Sequence, residues 1–332
     1  MIKKILAAVT AFALAAGLCG CSADEKPESG KLTVITTIFP AYDFARQVFG
    51  DSADVKMLLK PGQESHSYDP SAKDIVEISG CDLFIYNGGE SDQWVESVLK
   101  SAPDISTFRM TDSVSLLEEE VTEGMQDSDH DHDHDHDHDH DHDHDHDHDH
   151  DEEEAEYDEH VWTSPANAAK IVLALGKTAA EQFPELSEQL TANAGDYAEK
   201  IDELDDNFAE LLDGEERYFI FGDRFPLLYF FRRYGLNYYA AFPGCGSETE
   251  PSARTMTFLL EKLKQQDAVP AVFCIELSSR RLADVLAEDS GLQTVEFHTC
   301  HNISQDDFNG GATYVTLMQR NYGALSNLLR GE

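Results

Sequence analysis

"LTVITTIFPAYDFARQVFGDSADVKMLLKPGQESHSYDPSAKDIVEISGCDLFIYN", from Leu32 to Asn87, alternates two kinds of segment. "LTVITT" (32–37), "DVKMLL" (54–59) and "DLFIYN" (82–87) are short, apolar, largely β-branched or aliphatic runs that read as strands. Pro40 to Phe49 and "SAKDIVEIS" (71–79) read as helices between them, and "SDQWVESVL" (91–99) continues the series. Strands separated by helices return in the same direction, so the expected sheet is parallel and covered on both faces. Residues 32–125 are read as one α/β lobe.

The same alternation returns downstream. Strands are expected at "RYFIFG" (217–222), "NYYAAF" (237–242), "AVFCIEL" (271–277) and "TVEFH" (294–298). Helices are expected at "PLLYFFRRYG" (226–235), "TMTFLLEKLKQQ" (255–266), "RRLADVLAEDSG" (280–291) and near Tyr314 to Leu329. Residues 214–332 therefore read as a second lobe. Over residues 157–213, Ala169, Val172, Leu173 and Leu175, then Leu186, Leu190, Tyr197, Ile201, Leu204 and Phe208, recur mostly at three-to-four spacing, which predicts one or two long helices. The expected architecture is α/β: two lobes, each with a parallel-type sheet flanked by helices, joined by a long helical segment.

At the N-terminus, Lys3 and Lys4 precede an apolar run from Ile5 to Leu18, too short to span a bilayer comfortably. Residues 1–20 read as an export signal. "LCGC" (18–21) resembles the lipobox of bacterial lipoproteins, which implies lipidation of Cys21 and a polar tether over residues 21–31. Export leaves Cys81, Cys245, Cys274 and Cys300 in an oxidising setting, where three full pairings are open.

Formal charge is −41, and nucleic acid is excluded as a partner on that ground. Fifteen of the carboxylates lie in Asp129–Glu154, which has no Lys or Arg, so −41 plus 15 leaves −26 elsewhere. That acidic run holds a strict His/Asp alternation from His130 to His150, with eleven histidines and no apolar residue. Residues 126–156 cannot bury enough apolar surface to offset the entropy of ordering, so a solvated, disordered loop is expected. Weak imidazole ligands on one chain raise each other's local concentration, which suits it to gathering or sensing metal near a site. A repeat-expanded linker with no such role is the plainer reading.

Outside that loop the chain has four histidines, and all fall at expected strand ends or helix starts. His66 sits in "KPGQESHSYDPS", a Gly- and Pro-punctuated loop after the second strand. His160 sits in "DEHVWTSPANA", just before a helix start marked by Ser164 and Pro165. His298 and His301 share "EFHTCHN", after the last strand. In open α/β sheets such loops collect ligands beyond the carboxyl ends of the strands.

"ESHSYDPS", "DEHVWTSP" and the His/Asp insert between them resemble the solute-binding proteins of zinc-uptake ABC transporters, the ZnuA and AdcA type of cluster A-I, over essentially the whole mature chain. The resemblance implies His66 and His160 as metal ligands. The family's third ligand, His or Glu, falls on Arg224 in "FGDRFPLLYFFRRYGL", which cannot ligate a cation. The family's fourth position corresponds best to His298, with His301 as a substitute for the ligand lost at Arg224. For Cys300 the resemblance leaves two readings open, a bridge to Cys245 that fixes the histidine loop and a thiolate ligand. It implies further a monomer outside the membrane, tethered through Cys21, that hands Zn²⁺ as transported cargo to a permease and its cytoplasmic ATPase. The chain has no "GxxxxGK" loop of its own.

Imidazole suits Zn²⁺ better than all-oxygen sites do, so manganese is the less favoured cargo. Glu276, at the end of "VFCIE", is expected to hydrogen-bond near the cleft, and the aromatic run Tyr229, Phe230, Phe231 and Tyr234 to form helix core. A non-enzymatic receptor competes with two other classes. An exported zinc hydrolase would need an open metal position and a base, and no "HExxH" occurs. An adhesin or extracellular metal buffer would depend on the His/Asp loop alone.

Overall fold

The computed structural model describes residues 30–63, 68–125, 156–244 and 250–330. The expected export signal, Cys21, His66, the His/Asp run up to residue 155 and Cys245 lie outside the described residues. The chain divides into two units, Met1–Lys31 and Leu32–Glu332, and both sheets described below belong to the second.

The first sheet is built from β1 (Leu32–Thr36), β2 (Ala53–Met57), β3 (Leu83–Tyr86) and β4 (Thr107–Arg109) in the order β2-β1-β3-β4, all parallel. Its crossovers are α1 (Phe39–Phe49), α2 (Ala72–Ser79) and α3 (Gln93–Ser101). Ser71 caps α2 in a reciprocal box with Asp74, the helix start that "SAKD" encodes. The second sheet contains β5 (Tyr218–Phe225), β6 (Asn237–Pro243), β7 (Ala268–Ile275) and β8 (Gln293–Phe297) in the order β6-β5-β7-β8, again all parallel. Helices α6 (Leu228–Tyr234), α7 (Ala253–Leu263) and α8 (Arg281–Ser290) connect its strands, followed by the short α9 (Gln305–Asn309) and the terminal α10 (Tyr314–Arg330). The two sheets thus repeat one strand order. The helical pattern between them resolves into α4 (Pro165–Gln182) and α5 (Ser187–Leu212). Among the described residues no helix is long and apolar enough to cross a membrane.

Both faces of each sheet are buried, and the pleat sorts the side chains. Ile35 and Phe84 face a small cluster with Ile78, Val95 and Val98 of α2 and α3. Ile220, Val272 and Cys274 face another with Leu259, Leu263 and Leu286 of α7 and α8. Their neighbours one residue away, Val34, Leu83 and Ile85 on one sheet and Phe219, Phe221 and Phe273 on the other, enter a single large core with Ile171, Leu175, Leu190, Ile201, Phe208 and Leu317. That alternation is the period-two pattern of a doubly covered strand. Helix α5, 26 residues and about 39 Å long at 1.5 Å per residue, runs through this shared core. Gly176 lets it approach α4 closely, because a Cβ there would come within 2.3 Å of the Ala194 Cβ.

A buried carboxylate joins the same elements. Asp43 of α1, fully buried, accepts from Tyr197 Oη of α5, from the Tyr314 amide at the start of α10 at 2.8 Å and from Arg46 at 2.9 Å. On the other side, Asp205 of α5 accepts from Tyr234 Oη at 2.8 Å and from Arg233, both on α6. These are charge-assisted bonds placed where the core leaves polar ends of side chains behind.

Candidate metal site

His160 precedes a single 3-10 turn, Val161–Thr163, that feeds α4 through the Ser164 cap and Pro165. It is fully buried. Asp158 Oδ1 accepts both the His160 backbone N–H at 2.7 Å and the ring Nδ1–H at 3.0 Å, which fixes the tautomer and leaves the lone pair on Nε2. Burial pushes the imidazole pKa down, but the Asp158 charge and hydrogen bond outweigh it and hold the value above the ordinary 6.5. The preceding backbone is also pinned: Tyr229 Oη donates to the Asp158 carbonyl at 2.8 Å, and Asn87 Nδ2 donates to the Glu159 carbonyl at 2.9 Å.

His301 comes from the loop after β8. Its ring centre lies 5.2 Å from that of His160 and 5.1 Å from that of Trp162, edge-on to both. Trp162, with no exposed surface, donates Nε1–H to the Thr299 carbonyl at 2.9 Å, and Tyr314 Oη donates to the Trp162 carbonyl at 2.8 Å. Glu276, one residue past β7, accepts the Thr299 amide at 2.7 Å and the Thr299 hydroxyl at 2.6 Å. The loop after β2 reaches the same place: Gly62 N–H donates to the Ile303 carbonyl at 2.9 Å, and Asn302 Nδ2 donates to the carbonyls of Lys60 and Gln63.

Together these residues enclose a cavity of about 230 Å³ at the carboxyl ends of β2, β5, β6, β7 and β8. His160, Arg224, Glu276, Thr299, His301 and Gln63 line it. Two imidazoles and a carboxylate therefore face one space, with Arg224 beside them. Among the described residues no three His, Cys, Asp or Glu groups lie close enough to hold an ion by themselves.

Of the histidines singled out in the sequence, His160 and His301 meet at the cavity and His66 falls outside the described residues. His298, the expected fourth ligand, is absent from the lining. Its Nδ1 accepts the Cys300 amide at 2.9 Å and lies 3.7 Å from Glu276 Oε1. Asn321 clamps its backbone through both N–H (2.8 Å) and C=O (2.7 Å). Cys300 is fully buried, and burial pushes its thiol pKa well up, which disfavours a thiolate ligand; the expected bridge to Cys245 falls outside the described residues. The carboxylate in the lining, Glu276, was visible in sequence only as a hydrogen-bonding group at a strand end.

Paired doubly wound sheets with a polar cavity at the strand carboxyl ends define an α/β solute-binding protein. A family described as zinc-uptake complex component A, periplasmic, matches residues 34–328, and the chain belongs to that family. It is 30% identical over 329 residues to the zinc-binding lipoprotein AdcA of Streptococcus pneumoniae, covering 98% of this chain and 60% of that protein, so it spans well under two thirds of that relative's length. It is 30% identical over 308 residues to the high-affinity zinc uptake system protein ZnuA of Bacillus subtilis, covering 93% of this chain and 90% of that protein. Its fold matches the Zn(II)-bound ZnuA-like domain of S. pneumoniae AdcA with a TM-score of 0.70 at 28% identity, over 90% of this chain and 99% of that domain.

Proposed function

We propose that the chain is an extracytoplasmic receptor, anchored through lipid on Cys21, that captures Zn²⁺ at the cavity between His160 and His301 and delivers it to a permease driven by a separate ATPase. The observation that carries this reading is the convergence of two imidazoles from distant parts of the chain, 5.2 Å apart, one of them oriented by a buried carboxylate. Glu276 supplies a carboxylate, and His66, three residues beyond the cavity-lining Gln63, supplies a third imidazole. Such an N-rich set favours zinc over Mg²⁺, Ca²⁺ or Mn²⁺. The relatives' names, zinc-binding lipoprotein and zinc uptake protein, agree with that cargo. The His/Asp loop gathers the ion before capture.

Competition titration with a chromogenic chelator tests this on the whole chain. His66→Ala, His160→Ala and His301→Ala are each expected to weaken one tight site by tenfold or more, while removal of residues 129–151 lowers the number of weak sites and leaves the tight one. The opposite pattern, with tight binding lost only when the loop is removed, would identify a metal buffer instead.

A further inference from the structure

Tyr229 of α6 gives its ring to the shared core and its hydroxyl to the backbone that leads into His160. The phenol closes a triangle of bonds. Its O–H donates to the Asp158 carbonyl at 2.8 Å, its oxygen accepts the Leu117 amide at 3.0 Å, and the Asp158 amide donates to the Leu117 carbonyl at 2.9 Å. The pairing continues outward through an antiparallel bridge between Glu118 and Tyr157 and through the Glu119 amide, which donates to the Glu156 carbonyl at 2.9 Å. Leu117 precedes the His/Asp run in sequence and Asp158 follows it, so the two flanks of that insert meet at one hydroxyl.

Asp158, which is buried, is thereby held at three groups. Leu117 holds its amide, Tyr229 holds its carbonyl, and its Oδ1 accepts the backbone N–H and the ring Nδ1–H of His160. The next carbonyl, that of Glu159, is held by Asn87, which follows β3 of the first sheet, whereas Tyr229 follows β5 of the second. The turn that presents His160 therefore draws its backbone support from both sheets. A carboxylate on a short side chain aims an imidazole only as well as its own backbone is fixed, and a binding geometry is as precise as the shell behind it. Tyrosine suits the task, with an apolar body for the core and a polar tip beyond it. Burial pushes its pKa up to about 12 against the opposing pull of the Leu117 amide, so the donor keeps its proton over the physiological range.

We infer that Tyr229 is a positioning residue for the metal site. Its hydroxyl holds the Asp158 backbone so that the Asp158 carboxylate keeps His160 in place, and tight zinc binding thereby depends on how the base of the insert is seated on α6. This rests on the receptor reading above and adds to it a residue from outside the cavity lining. On the same helix Arg232 pairs with Glu120 of the insert's base, an exposed contact that supplies a control.

Zinc titration of the full chain against a competing chelator tests the inference with Tyr229→Phe, Asp158→Ala and the double variant. Outer partners of metal-binding imidazoles account for roughly ten- to hundredfold in affinity, and Tyr229→Phe, one bond further back, should weaken the tight site by about fivefold. In the Asp158→Ala background the same change should alter affinity by less than about twofold, because the group it acts through is gone. Arg232→Gln, which breaks a tie between the insert's base and α6 but no bond to Asp158, should leave the tight site within about twofold. Unchanged affinity in Tyr229→Phe, an equal loss in both backgrounds, or an equal loss in Arg232→Gln overturns the inference. A purely structural tyrosine would lower the denaturation midpoint and leave this pattern of zinc affinities flat.

Proton NMR of the metal-free chain gives a second reading that does not need Asp158→Ala to fold. The Nδ1–H signal of His160, identified by its absence in His160→Ala, should shift and exchange faster with water in Tyr229→Phe, and an unchanged signal overturns the inference. A wild-type chain with no tight zinc site lost on His160→Ala would refute the receptor reading instead, and the proton signal would still decide whether Tyr229 holds Asp158.

Discussion

Trp162 donates its indole N–H to the Thr299 carbonyl at 2.9 Å, and this one bond ties the turn that carries His160 to the loop that carries His301. The two imidazoles are set by separate stretches of backbone, so their separation depends on such cross-links rather than on either stretch alone.

Trp162→Phe keeps most of the ring and removes the donor, leaving the buried Thr299 carbonyl unpaired. A loss of about 1–3 kcal/mol in stability is expected from the orphaned acceptor and the smaller ring. Zinc affinity should fall several-fold as the His301 loop loosens. Denaturant unfolding and chelator competition on the same preparation check both.

Asp158→Asn tests the orientation of His160. Outer partners of metal-binding imidazoles commonly account for ten- to hundredfold in affinity, and a loss in that range is expected here. The pH dependence follows with a definite sign. The folded His160 pKa is raised, so the proton competes with zinc at pH values above the ordinary 6.5, and capture weakens as pH falls through that raised value. In the metal-free chain the same shift stabilises the fold below the unfolded value and the contribution is lost as pH rises through the folded one. The variant should move the binding midpoint to lower pH, which titrations from pH 5 to 8 would show.

Glu276→Gln conserves shape and removes the charge that faces the cavity. Zinc affinity should drop by about tenfold or more, as for loss of an anionic ligand. Thermal stability should change little because the amide oxygen can still accept one Thr299 bond. An unchanged affinity would show that Glu276 only positions the Thr299 loop.

Asp43→Asn probes the joint between α1, α5 and α10. It removes a fully buried charge that holds the Tyr197 hydroxyl, the Tyr314 amide and Arg46. A destabilisation of about 3 kcal/mol is expected, read as a lower denaturation midpoint with an unchanged slope.

Much of the architecture was legible because both sheets are buried on both faces, which writes them as apolar runs bounded by turn residues. The strand β4 escaped notice because it is only Thr107–Arg109, with a single buried residue, too short to show a period. The site was legible as far as residue type and loop position can carry it. Which of His298 and His301 lines the cavity was not, because both lie in the same loop. The turn at Cys300, whose φ of 61° is unusual for a side-chain-bearing residue, bends its amide back onto His298 Nδ1 while His301 continues to the cavity. The resemblance had already put Arg224 at the family's third ligand position, and the cavity lining agrees with that placement.

The shared core has a consequence for motion. With Val34 and Phe219 in one apolar mass and α5 threaded through it, wide clamshell opening would expose that mass to water. Under the proposed function, uptake and release of the ion would then fall to small displacements at the rim, such as the loop that carries His301, rather than to a swing of one half against the other.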